Sequence, residues 1–320
     1  MVVRHLDKAT RFGHDRSAMS PRFESVVNVS EGRRTDVVTR LARRVSAHSG
    51  VTLLDYSSDR AHNRSVFTMA GASDPLHDAI FDFTRDAVGA IDLRVHRGVH
   101  PRLGAVDVVP FIPLAGASMA DAVALARRVG RSIGDRLDVP VYLYDEAASA
   151  SAPHRRHLEQ IRRGGLEGIA QRIGDPEWAP DFGPHAPHPG AGVTVVGARF
   201  FLIAYNVNLK TADLAVAREI AAAVRERGGG LPSVKALGLA LADRGIVQVS
   251  MNLVDYRVTG IRAAFDRVVL EAARRGAVVS DSELIGLAPA AALDAAVAAH
   301  VGLTNYSDAM LLEHRLAQPH

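Results

Sequence analysis

An α/β fold, in the α+β sense, is what the sequence predicts, and three observations carry that prediction. Short apolar runs alternate with amphipathic stretches along 320 residues, 48% of them hydrophobic, which is enough to bury sizeable cores. The second half reads strand, helix, strand, strand, helix, strand. The first half repeats that order without enough identity to count as a sequence repeat. Such an order, with helices on one sheet face, is that of a ferredoxin-like sandwich, so two related subdomains are expected, each a mixed or antiparallel sheet covered by helices.

Residues 1–20 are polar and aperiodic and read as a flexible extension. Phe23 to Val29 then reads as a strand, Ser30-Glu31-Gly32 as a turn, and Thr35 to Ala47 as an amphipathic helix. Strands at Val51 to Tyr56 and Ser65 to Ala70 flank a polar excursion, and Asp74-Pro75 starts a helix that reaches about Ala90. The run Val106, Val108, Val109, Phe111, Ile112 lacks alternation, as a strand buried on both faces does. A helix from Ser118 to Leu137 and a strand from Val139 to Tyr144 follow.

Residues 146–172 are basic and helical in pattern, and DPEWAPDFGPHAPHPGAG after them is too rich in Pro and Gly for anything but a loop. Irregular loops of that length inside compact domains are usually functional, which makes this one a candidate ligand-binding element. Beyond it come strand Phe200 to Val207, helix Thr211 to Arg227, strand Val234 to Ala242, a tight turn at Asp243-Arg244-Gly245 and strand Ile246 to Leu253. Helix Gly260 to Arg275 and strand Ala277 to Val279 complete the series. The expected domains are 21–196, 197–305 and a tail at 306–320, joined near 190–200.

Composition narrows the chemistry. With no cysteine, disulfides, thiolate metal sites and a cysteine nucleophile are excluded. The longest apolar tract, Leu287 to Leu303, holds Asp294 and His300 and suits a packed helix rather than a membrane span. The N-terminus lacks the apolar core of a signal peptide, so a cytoplasmic protein is expected, with no membrane partner. Net charge is only +3, and aromatics are 5% with no stacking motif of the RNA-binding kind, so no nucleic-acid partner is expected. Lys8, Lys210 and Lys235 are the only lysines; arginine carries the positive charge, which suits an anionic small molecule.

The segment HRGVHPRLGAVDVVP, His96 to Pro110, concentrates reactive groups at the edge of a buried strand. Gly98 lets the backbone turn before His100, and Pro101 restricts it to extended values. An imidazole can both accept and donate a proton near neutrality, so His100 is the candidate general acid-base; a loop-capping histidine is the competing reading. Asp107 could orient that imidazole or simply serve the strand end. Arg64 and Arg102 are candidates for holding a carboxylate, because a guanidinium binds one in bidentate fashion. Asn206 and Asn208 share one strand face and could bind a ligand or pair with neighbouring loops; Asn28, closing the first strand, invites the same comparison with a helix cap. His185 and His188 sit among prolines without further ligands, so no metal is expected there.

Six segments together resemble the glutamate formimidoyltransferase (formiminotransferase) family. They are VVNVSEG at 26–32, Asn63-Arg64 at the start of a strand, HRGVHPRLGAVDVVPFIP at 96–113, VPVYLYDEAA at 139–148, WAPDFGP at 178–184 and GARFFLIAYNVNL at 197–209. They stand in the family's order and cover roughly residues 21–290, with HPRLGAVDVVPFIP the most specific.

The resemblance implies transfer of a formimino group from N-formimino-L-glutamate to N5 of tetrahydrofolate as co-substrate. It also implies two α/β subdomains and a homodimer. The family's catalytic histidine falls on His100, with Asp107 as its supporter. Its folate-binding loop falls on Gly183, Pro184, His185, Ala186, Pro187, His188, Pro189, Gly190, Ala191 and Gly192. Asn28, Arg64, Arg102, Asn206 and Asn208 are the other candidate substrate or folate contacts. The likeness is to a stand-alone transferase, since bifunctional relatives carry a cyclodeaminase domain for which 320 residues leave no room.

This chain departs from the family at Val27, where a proline is usual, at Ser57, where an acid is usual, and in the loop GPHAPHPGAG, where aromatic and serine positions are lost. Two alternatives stand beside the formimino reading. One is a related transferase using N-formylglutamate or 5-formyl-tetrahydrofolate; the other is a non-catalytic, folate-binding paralogue.

Overall fold

A computed structural model of the chain describes residues 22–60, 62–98, 102–241 and 244–318. The extension at 1–20, His100 and Asp243 lie outside the described residues. The first half forms β1 (Arg22–Val29), α1 (Thr35–Ser46), β2 (Val51–Asp59), β3 (Arg64–Ala72), α2 (Ser73–Ala90) and β4 (Val106–Pro113). It continues through α3 (Met119–Leu137), β5 (Val141–Asp145), α4 (Leu158–Ile161), α5 (Gly165–Arg172) and β6 (Thr194–Ala198). Its six strands lie in the order β2-β3-β1-β4-β6-β5. The first four, all antiparallel, have the order expected of a ferredoxin-like unit, and β6 and β5 extend them in parallel.

The second half forms β7 (Ile203–Leu209), α6 (Leu214–Val224), β8 (Val234–Leu241), β9 (Ile246–Leu253), α7 (Ile261–Ala273) and β10 (Val279–Ile285). Short helices α8 (Ala295–His300) and α9 (Leu312–Ala317) follow. Its sheet, β10-β7-β9-β8, is antiparallel throughout and has the same ferredoxin-like order. The mixed α/β class, with a sheet in each half, is therefore as the sequence predicts.

Local chemistry explains most boundaries. Ser118 caps α3 reciprocally with Asp121: its hydroxyl accepts the Asp121 N–H at 3.2 Å, and the Asp121 carboxylate accepts the Ser118 N–H at 2.9 Å. Asp138, left-handed at φ +53°, ends that helix. β4 is buried on both faces along nearly its whole length, as its unbroken apolar run requires. The basic stretch 146–172 does not form one helix. Gly164 and Gly165, at φ +79° and +63°, split it into α4 and α5.

Two sets of packing position the site. Helices α1, α2 and α3 cover one face of the first sheet, with Leu41, Ile80, Phe83 and Val129 against Val27, Phe67 and Phe111. On the opposite face, α4 and α5 bury Ile161 and Ile169 against Tyr142, Tyr144 and Val195 of β5 and β6. The second half packs beside them on β2 and β3, where Leu312 and Phe201 meet Leu54 and Ala70. Lys235 of β8 also pairs with Glu159 of α4. Glu24, paired across β1 and β3 with Ala70, is 1% exposed. Burial foremost, with Glu313 adding to it and Arg199 opposing it, pushes the Glu24 carboxyl up to about 7.

No helix among the described residues is long and apolar enough to cross a membrane. Within the apolar tract Leu287 to Leu303 only α8 is helical, and Leu293, Ala298 and Val301 bury into the second core.

Candidate active site

The turn after β1 is where the site begins. Glu31, 3% exposed, accepts the N–H groups of Arg33 and Arg34 at 2.9 Å each and pairs with the Arg34 guanidinium. Burial works to raise its carboxyl, but those N–H groups and Arg34 outweigh it and hold Glu31 below its ordinary value. Gly32 follows because nothing larger fits: a Cβ there would lie 2.5 Å from the Asp59 carbonyl oxygen and 2.6 Å from the Arg64 nitrogen. Ser30 ties this turn to the segment before β4, donating its hydroxyl to the Gly104 carbonyl at 2.7 Å.

Asn63 joins three pieces of chain. It is left-handed at φ +51°, a conformation asparagine tolerates. Its side chain accepts the Gly32 N–H at 2.9 Å and donates to the Arg97 carbonyl at 3.0 Å. Its own carbonyl, 3.0 Å from Nε2 of His96, takes the proton of that ring, since a carbonyl can only accept. Nδ1 of His96 is thereby left as a bare lone pair, and it has no partner among the described residues although it is buried. Burial is the main reason the His96 ring titrates below its ordinary value, with Arg102 opposing its charge as well.

Around this hub lie the charged residues. Arg64, first in β3, donates to Oδ1 of Asn28 at 2.6 Å, so two sequence-predicted candidates are in contact. Burial, and next the charge of Arg162, makes the Arg64 guanidinium easier to deprotonate than an exposed one, with Asp107 and Asp59 opposing. Arginine nonetheless stays charged at any working pH. Asp107 accepts the Leu103 N–H at 2.8 Å through one oxygen and pairs with the guanidinium of Arg162, the residue that ends α4, through the other. Arg102 stands 3.9 Å from Glu167, a loose pair.

Ser30, His62, Asn63, Arg64, His96, Arg102 and Asp107 line one narrow crevice. Arg64, Arg102 and Arg162 each leave a buried Nε without a partner among the described residues, and Asp107 is the one acid among the described residues lining the crevice. Donors in such excess favour an anionic ligand with planar acceptor groups, which is what a carboxylate offers. His100 lies outside the described residues. The residues that flank its segment are informative: Arg102 lines the cavity, and a Cβ on Gly98 would lie 2.3 Å from the His62 carbonyl oxygen.

The family follows from the whole chain. A family model described as the formiminotransferase domain, N-terminal subdomain, matches residues 22–199, and one described as the formiminotransferase domain matches residues 204–314. The chain belongs to the formiminotransferase family. It is 42% identical to a glutamate formimidoyltransferase of Streptococcus pyogenes over 86% of its own length and 91% of that protein's. A glutamate formimidoyltransferase of Thermoplasma acidophilum is also 42% identical, over 92% of this chain and 96% of the other. A formimidoyltransferase-cyclodeaminase of Sus scrofa is 40% identical over 86% of this chain, matching 51% of its own length.

In this formiminotransferase chain the loop Gly183 to Gly192 runs beside the motif segment. Gly183, at φ +84°, starts it against α3, where Gly134 leaves room: a Cβ on Gly134 would lie 2.7 Å from the Gly183 nitrogen. His188 and Gly192 exchange backbone hydrogen bonds at 2.9 Å, and Nδ1 of His188 accepts the N–H groups of Gly190 and Ala191 at 3.2 and 2.9 Å. The His188 ring thus closes this hairpin from within. The carbonyls of Gly190 and Ala191 then accept from Leu93 and Ala105. Ala191 and Gly192 are buried, while His185, Ala186 and Pro189 are exposed and Pro184 and Pro187 half-buried.

Asn206 and Asn208 lie on β7 of the second sheet and line no part of the cavity described above. Asn208 is fully engaged: its amide donates to Asp281 at 2.5 Å and to Glu283 at 3.1 Å and accepts from Gln248 at 2.9 Å. Asn206, nearly as buried, pairs in register with Glu283 and Ser250.

Sequence reasoning missed three contributors. Arg162 is one of several arginines in a basic stretch with no motif to mark it. Asn63 carried a readable signal, a lone Asn directly before a strand, where left-handed conformations are common. His96 was assigned no role, because its bonding to Asn63 depends on two segments meeting in space.

Proposed function

We propose that this transferase moves the formimino group of N-formimino-L-glutamate to N5 of tetrahydrofolate, giving 5-formimino-tetrahydrofolate and L-glutamate. The observation that carries the reading is the cavity beside the HRGVHPR motif, with its excess of arginine donors over the one carboxylate of Asp107. The names of the relatives agree with it. Arg64 and Arg102 hold carboxylates of the glutamyl donor, and Asn28 fixes Arg64 in place. The loop Gly183 to Gly192 borders the folate.

Chemically, N5 attacks the formimino carbon while His100 takes the N5 proton. A tetrahedral centre forms, His100 returns the proton to the glutamate nitrogen, and the carbon–nitrogen bond to glutamate breaks. Asp107 supports the charged imidazole from the foot of β4. Proton transfer of this kind contributes about 10² to 10⁴-fold, and holding two substrates together supplies much of the rest. No metal takes part in this scheme. The enzyme is proposed to work in the cytoplasm as a homodimer, which light scattering on the purified protein measures.

An assay of purified protein with tetrahydrofolate and formiminoglutamate, following the folate absorbance, tests the reading. Turnover that needs both substrates supports it. Tetrahydrofolate binding without turnover would replace it with the non-catalytic alternative.

A further inference from the structure

We propose that His96 is a specificity-determining residue: its bare Nδ1 accepts an N–H from the one-carbon group and so selects a formimino donor over a formyl donor. The inference rests on the transferase reading above and goes further, because it names the group that separates the two one-carbon chemistries.

Geometry fixes the tautomer. The Asn63 carbonyl is an obligate acceptor, so the ring proton sits on Nε2, and Nδ1 offers only a lone pair. Asn63 cannot swing away to relax this arrangement, since its amide is held by the Gly32 N–H and the Arg97 carbonyl. The His96 side chain lines the cavity that holds Arg64, Arg102 and Asp107, is 7% exposed, and leaves Nδ1 without a partner among the described residues. A buried acceptor without a donor is costly unless a ligand supplies one.

Formimino and formyl groups differ at one atom. Where the first carries a nitrogen with a hydrogen, the second carries a carbonyl oxygen with lone pairs alone. Opposite Nδ1, the nitrogen donates a hydrogen bond and the oxygen opposes two lone pairs. Protonating the ring would remove that repulsion, but burial and the charges of Arg102 and Arg33 outweigh the Asn63 carbonyl and Glu31, which favour it. Leaving one buried acceptor unpaired against the formyl donor sets the scale of discrimination at about 10 to 100-fold here.

Two substitutions separate this role from a structural one. His96→Gln keeps a terminal N–H for the Asn63 carbonyl and removes the Nδ1 acceptor. His96→Asn places an oxygen near the Nδ1 position and gives up the bond to Asn63. The measurement is the ratio of kcat/KM for formiminoglutamate to that for formylglutamate, with Tm recorded for each variant. Expected are a ratio lowered about 10 to 100-fold in His96→Gln at near-normal Tm, and a largely kept ratio at lowered Tm in His96→Asn. An unchanged ratio in His96→Gln, or an equal loss in both variants, overturns the inference while leaving the transferase reading intact. A wild-type protein that transfers neither group overturns both.

Discussion

Replacing Glu24 by glutamine should make the protein more stable in mild alkali, which is an unusual result for removal of a charge. The carboxyl is 1% exposed and titrates near 7 in the folded chain, against an ordinary 4.5. Because the folded value is the higher one, folding favours the protonated form. That contribution is complete below the unfolded value and is lost as pH rises through about 7. A difference of some two and a half units corresponds to about 3 kcal/mol, of which about 2 kcal/mol falls between roughly pH 5.5 and pH 8.

Glutamine cannot ionise, so Glu24→Gln escapes that loss. Arg199 offsets part of the charging cost and Glu313 adds to it, and both effects are already contained in the folded value. The assay is urea denaturation of both proteins at several pH values, read as the stability of Glu24→Gln minus that of wild type. This difference should grow by about 2 kcal/mol from roughly pH 5.5 to pH 8. A difference that stays flat, or that falls, would refute the argument that Glu24 is buried without adequate compensation between the two halves.

Three further outcomes are expected. Gly32→Ala drives a methyl into backbone atoms of Asp59 and Arg64, so it should cost about 1–3 kcal/mol or more in thermal unfolding and reduce activity by shifting Asn63. Asp107→Asn leaves Arg162 without its counter-charge and should lower stability by about 2–3 kcal/mol by urea unfolding. Arg64→Lys loses the guanidinium that reaches Asn28 and is proposed to hold the donor carboxylate; steady-state kinetics should show a KM for formiminoglutamate raised roughly tenfold with a smaller change in kcat.

Much of the fold was legible because its elements carry their own signals. The unbroken apolar run of β4 and the Ser118 cap of α3 are local facts, and the structure places both where the pattern does. The strand assigned to Ala277 to Val279 instead runs Val279–Ile285. Its sequence, VSDSELI, is too polar to read as a strand, but Asn208 of β7, Gln248 of β9 and Arg244 from the turn before β9 satisfy Asp281 and Glu283. β6 was unreadable for a different reason. Five residues, Thr194–Ala198, gain strand structure by lying between β4 and β5, and that pairing is remote in sequence.

The site divides the same way. Asn28, Arg64, Arg102 and Asp107 were visible as residue types beside turns and strand ends, and the structure gathers Arg64, Arg102 and Asp107 at one cavity with Asn28 bonded to Arg64. The tautomer of His96 and the pairing of Arg162 with Asp107 were not visible. Each depends on atoms from distant segments, 33 residues apart in one case and 55 in the other.

The most direct test is turnover of formiminoglutamate with tetrahydrofolate by wild type and His100→Ala, alongside tetrahydrofolate affinity measured by fluorescence. The account predicts wild-type turnover, and in His100→Ala a loss of about 10² to 10⁴-fold in kcat with affinity essentially kept. Turnover within a few-fold of wild type in His100→Ala would contradict the assignment of proton transfer to this histidine.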